Sequence, residues 1–164
     1  MPTFASIDAF LTHLGRVQAA LPVVQHRGQE EAGAALERHA KALIGSEYEQ
    51  WAALADSTVA RKQARGQTGR VSATDPLYAT GELRATLGHG VEGNSTILGS
   101  PDPVAPYLEF GTERMPARAF IGSTMFVHGH DAADLIAGYI MAGLMGRTRP
   151  LGDHARLLTP EGAT

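Results

Sequence analysis

Gly81-Glu82-Leu83-Arg84-Ala85-Thr86-Leu87-Gly88-His89-Gly90-Val91-Glu92-Gly93-Asn94-Ser95-Thr96-Ile97-Leu98-Gly99-Ser100 is the stretch that reads as sheet, and it decides the fold class. Leu83, Leu87 and Val91 fall on even steps with Arg84 and Thr86 between them, the alternation of a strand with one buried face. Glu92-Gly93-Asn94-Ser95 is a turn, and Gly-Asn is a two-residue hairpin signal. Thr96-Ile97-Leu98 brings the chain back. A β-hairpin is expected across residues 81–100.

Outward from the hairpin the signals are helical. Ile7, Phe10, Leu11, Leu14, Val17 and Leu21 recur at three- and four-residue steps, with Ser6 as N-cap and Asp8 in the first turn. Pro22 is expected to end this helix or begin its successor. A second helix is expected from Gln29 to Ile44, with Ala32, Leu36, Ala40 and Leu43 along a narrow, alanine-rich face and Gly45 as its stop. A short helix between Tyr48 and Arg61 has Trp51, Leu54 and Val59 as its apolar side. Residues 62–74 carry no periodic signal and read as a mobile loop. Pro101 to Pro106 forms a rigid connection, and Tyr107 to Phe110 forms a helical turn stopped by Gly111. The last helix is expected from Asp131, as N-cap, to Met145, with Leu135, Ile136, Tyr139, Ile140 and Leu144 on one face and Gly146 after it.

These readings give an α+β fold: N-terminal helices, a small antiparallel β-sheet with a hairpin, and a C-terminal helix packed on the sheet. Residues 1–146 form a single domain, of which 1–46 is the N-terminal helical part. Residues 147–164 read as a tail without order unless a neighbour binds it.

The chain of 164 residues suits one domain, and its 43% apolar and 19% charged content is globular with slightly few charges. Without cysteine there are no disulfides, thiolate zinc sites or cysteine nucleophiles. A net charge of -3 argues against a general affinity for nucleic-acid phosphates. No apolar run approaches the ~20 residues of a membrane span, and the N-terminus does not read as a signal peptide.

Two stretches carry a resemblance. The first holds Trp51, Leu54, Ser57, Thr58 and Lys62 and continues, after the polar loop, into Leu77, Thr80, Gly81 and Leu83. The second holds Tyr107, Phe110, Gly111 and Thr112, then Pro116, Ala117, Arg118, Phe120 and Gly122. In order and spacing they resemble the virion morphogenesis and tail-completion (head–tail joining) proteins of tailed bacteriophages, over roughly residues 51–145. Ala119 departs from the family, which commonly has a second proline there, and the hairpin turn is short. The resemblance implies a non-enzymatic structural subunit without cofactors, acting in a homo-oligomeric ring of six copies in the virion neck. Its partners would be connector or stopper, tail terminator or tail-tube proteins, with no membrane, and assembly would take place in the host cytoplasm. The alternatives are the tail terminator itself and a DNA-contacting module of the packaging channel.

Physical chemistry gives the same residues roles of their own. Gly111 follows Phe110 where a left-handed cap is needed. Phe110 and Phe120 bracket the turn and bury ~150–250 Å² each when covered. Arg118 lies near Glu109 and Glu113 and can pair with either. This turn either plugs the core or meets a neighbouring subunit, aromatic and Arg residues being enriched at interface cores. Tyr107 belongs with it, and Trp51 and Leu54 are expected to cover one end of the core. Arg61, Lys62, Arg65 and Arg70 place four cations within ten residues, either a solvated loop or a loop that meets genomic DNA through phosphates. His128-Gly129-His130-Asp131 has metal-like spacing, but Asp131 is better explained as a cap, so no metal is expected. No G-x-S-x-G elbow, Walker loop or Rossmann fingerprint is present.

Overall fold

A computed structural model describes residues 3–46, 48, 50–66 and 73–158. The fold is α+β. Helix α1 (Ile7–Leu43) leads, followed by α2 (Asp56–Ala64), α3 (Glu82–Thr86), strands β1 (Gly88–Glu92) and β2 (Ser95–Gly99), α4 (Ala105–Phe110), α5 (Ile121–Leu144) and α6 (Ala155–Leu158).

The two expected N-terminal helices are one. Pro22 lies inside α1, so the helix runs unbroken for 37 residues, ~55 Å at 1.5 Å per residue. Proline removes one helical N–H and crowds the carbonyl four residues back, at a cost of ~3 kcal/mol, yet the helix continues through it. Ser6 caps the start by accepting from Ala9 N at 3.2 Å.

Helix α5 packs antiparallel along the C-terminal part of α1. His39 stacks on His128 at 3.8 Å, Gly28 lies against Tyr139, and Gly143 against Val24. Ala32, Ala35 and Leu36 of α1, Ala132, Leu135 and Tyr139 of α5, and Leu157 of α6 form one buried cluster. Its small residues allow close helix approach. A second cluster joins Ala40, Ile44, Leu83, Leu87, Ala105 and Phe120.

The hairpin pairs β1 and β2 antiparallel, Glu92 facing Ser95 and Gly88 facing Gly99, with Gly93-Asn94 as the turn. Leu83 and Leu87, however, belong to a helical turn and the residue after it; a four-residue step satisfies a strand and a helix equally. A two-stranded sheet is marginal alone, and α1 holds this one. Gln25 and Gln29 donate to Asn94 Oδ1 and the Gly93 carbonyl, at 3.0 and 3.3 Å. His89 lies between Glu37, 2.6 Å from its Nδ1, and Glu30, 3.4 Å from its Nε2. Gly33 leaves the room: a Cβ there would stand 2.5 Å from the His89 ring.

Three other expectations are corrected. The helix after Trp51 starts at Asp56, not Tyr48. Helix α5 starts at Ile121, not Asp131, so Asp131 is an interior residue. The segment after Gly146 is ordered through residue 158: Leu151 N donates to the Gly138 carbonyl at 3.1 Å and Leu157 is buried. Residues 159–164 of the expected tail and 67–72 of the expected loop lie outside the described residues.

Candidate assembly surface

The two motif stretches, tens of residues apart, meet in one knot. Trp51 Nε1 donates to the Ala119 carbonyl at 3.3 Å, and its ring meets Tyr48 edge-on at 5.3 Å. Arg118 N donates to the Leu108 carbonyl at 2.8 Å. The Arg118 side chain pairs with neither Glu109 nor Glu113. It is buried and donates from Nη2 to the carbonyls of Ala52 and Ala53 at 2.9 and 3.4 Å, while its Nε is buried without a hydrogen-bond partner. The guanidinium thus pins the extended 52–55 segment, which supplies carbonyls because it is not helical.

Glu109 has a different task. Its carboxylate accepts from the backbone N–H groups of Phe120, Ile121 and Gly122 at 2.9, 3.1 and 2.6 Å. A helix N-terminus leaves its first N–H groups without partners and carries partial positive charge, and this carboxylate answers both. The chain between α4 and α5 therefore closes into a clamp. Gly111 makes the turn at φ 75° and ψ -178°, a region open essentially to glycine alone. A Cβ there would stand 2.7 Å from Ala117 N. Thr112 and Met115 bridge across the loop at 2.8 and 3.1 Å.

The knot buries one of its two phenylalanines and displays the other. Phe120 is 0% exposed, Phe110 81%. The core reading of Phe110 is therefore wrong: it ends α4 with its ring in solvent. Tyr107, three residues earlier on the same short helix, is also exposed, and so is Phe126 at 91%. Phe126 lies one turn beyond Gly122, which Glu109 holds. Trp51 and Leu54 are half-buried, Trp51 against the second core cluster.

The four cations do not form one loop. Arg61 and Lys62 are on α2, Arg65 ends it, and Arg70 lies outside the described residues. Lys62 is buried and donates to the Asp75 carbonyl at 2.6 Å. Burial holds its ammonium below the usual lysine range, against the opposing pull of the Asp75 carboxylate. Exposed Arg61 and Arg65 face an open groove of about 380 Å³ with an apolar floor that includes Leu77 and Leu108. Glu82 and Asp102 line the same groove.

His128 and His130 sit two residues apart on a helix, which turns their rings to different sides. His128 stacks on His39, while exposed His130 lies 3.6 Å from Asp134. Among the described residues no group of three or more His, Cys, Asp or Glu side chains could hold a metal ion. No helix among them is long and apolar enough to cross a membrane.

Neither Glu109 as a cap nor Phe126 as a surface residue stood out in the sequence. The cap works across eleven residues, and a lone phenylalanine on a helix reads as core. Comparison with protein-family models, curated proteins and solved structures finds no match for this chain.

Proposed function

We propose that the chain is a structural subunit of the bacteriophage neck that completes the tail or joins head to tail, acting without catalysis in a ring of its own copies. Six copies follow from the family resemblance, and the neighbours are connector or stopper, tail-terminator or tail-tube proteins. The subunit is assembled in the host cytoplasm and carried in the virion. One observation supports this most: the two resembling stretches fold against each other through Trp51, Arg118 and Glu109, and the product is a rigid turn that presents aromatic side chains outward. A part that works by shape needs such a display, whereas an enzyme needs converging reactive groups.

The DNA-contacting alternative has weaker support. Lys62 is engaged with a backbone carbonyl, which leaves Arg61 and Arg65 as the accessible members of the described cluster. Two arginines facing a groove that also holds Glu82 and Asp102 make a poor phosphate track.

Deleting the gene from the phage or prophage genome that carries it tests the proposal. Electron microscopy should show filled heads and separate tails, and adding purified protein to the lysate should restore joined particles. Normal joined virions without the gene would refute the reading.

A further inference from the structure

Residues 7–21 of α1 extend past the end of α5, because Gly143, next to the last residue of α5, lies against Val24. This projecting arm spans ~21 Å. Its stripe of Ile7, Phe10, Leu11 and Leu14 is exposed, Ile7 at 77%. The tip is shaped: Phe4 meets Phe10 edge-on at 5.3 Å and His13 at 5.0 Å. Helical segments of this length are marginal in water without tertiary packing, so the arm calls for a cover.

The aromatic surface lies at the other end of the molecule. Tyr107 and Phe110 on α4, and Phe126 on α5, border the Glu109 clamp at the N-terminus of α5. Helix α5 has 24 residues and separates the two apolar ends by ~36 Å, so the arm cannot cover the surface of its own chain. At exposures of 59, 81 and 91%, the three rings leave ~350–580 Å² open on the scale of a buried aromatic. The upper end of that range approaches the ~600 Å² per partner at which specific interfaces begin.

We propose that the Ile7/Phe10/Leu11/Leu14 face of one copy docks on the Tyr107/Phe110/Phe126 surface of a second copy, head to tail. The pairing covers both apolar ends with a single contact, and a heterologous contact repeats into a ring when its rotation closes. An arm-to-arm dimer would leave the aromatic end bare. This inference deepens the ring reading and rests on it.

Mixing complementary variants tests it. The arm variant carries Phe10→Asp and Leu14→Asp; the surface variant carries Phe110→Asp and Phe126→Asp. All four positions are solvent-exposed and outside both core clusters, so both variants should still unfold in one cooperative thermal transition, with only the helicity of the uncovered arm falling. By sedimentation, wild-type chain should form closed oligomers, and each variant alone should be monomeric, with at least a tenfold weaker self-association. Their mixture should form a 1:1 dimer and nothing larger, since one intact contact remains. The chain has no cysteine, so a second test is clean: Leu11→Cys chains mixed with Phe126→Cys chains should give a disulfide-linked heterodimer. A surface variant that still assembles like wild type, or Leu11→Cys chains that crosslink mainly to each other, overturns the head-to-tail contact but leaves the ring reading standing. A wild-type chain that stays monomeric at high concentration overturns both.

Discussion

Between Ile7 and Leu21 the apolar residues of α1 recur at the same three- and four-residue steps as between Ala32 and Leu43, yet Ile7, Phe10, Leu11 and Leu14 of the first set face water and the second set is packed. Their side chains differ in size. The packed half uses Gly28, Ala32, Gly33, Ala35 and Ala40, which let α5 and the hairpin approach closely. The open half uses Ile7, Phe10, Leu11 and Leu14, bulky groups whose partner is not supplied by the described chain. Period shows that a helix has an apolar face. Side-chain volume tells how near the partner comes, and only the rest of the chain tells whether it is there.

The strongest challenge to this contrast is a pair of substitutions. Phe120→Ala should lower unfolding free energy by ~3–5 kcal/mol in urea titrations, the usual loss for a buried phenylalanine. Phe110→Ala, ten residues away, should change monomer stability by less than ~0.5 kcal/mol. Equal losses would erase the division between packed and displayed regions.

The clamp between them comes next. Glu109→Ala removes the acceptor for three N–H groups at the start of α5 and should cost ~1–2 kcal/mol, as deletion of a good N-cap does. A thermal midpoint equal to wild type would show that water replaces the carboxylate without loss.

A smaller effect concerns the hairpin's seat on α1. Burial pushes the Glu37 carboxyl up, but hydrogen bonds from Lys41 and His89, and their charges, outweigh it and hold the group below its ordinary 4.5. A depressed carboxylate adds stability that is present above pH 4.5 and is lost as pH falls through the lowered folded value. Glu37→Gln should therefore flatten the acid limb of the stability profile below pH 4.5 relative to wild type. Superimposable limbs would show that Glu37 does not couple the hairpin to the helix. The smallest effect is expected for Leu14→Ala, below ~0.5 kcal/mol in the monomer. A larger loss would mean that the arm is packed within its own chain.

Much of this was legible in the residues. Ser6 as a cap, Gly93-Asn94 as a hairpin turn and Gly111 as a stop are local signals, each set by a few adjacent atoms. What failed was non-local. The start of α5 is hidden because its cap, Glu109, arrives from another helix, so Asp131 looked like the beginning. Leu83 and Leu87 looked like strand because their spacing suits both periods. Phe110 and Phe120 flank one motif symmetrically, and only the direction of the Gly111 turn decides which of them is buried.

Pro22 gives the arm a lever's mechanics. It stands where α1 leaves the support of α5, and it lacks the N–H that would stiffen the helix at that point. From there to Ile7 is ~22 Å, so each 10° of bend sweeps the tip through ~4 Å. With its arm covered by a neighbour, the helix converts small angular changes at this fulcrum into ångström-scale adjustments of reach, while the body of the subunit stays unchanged.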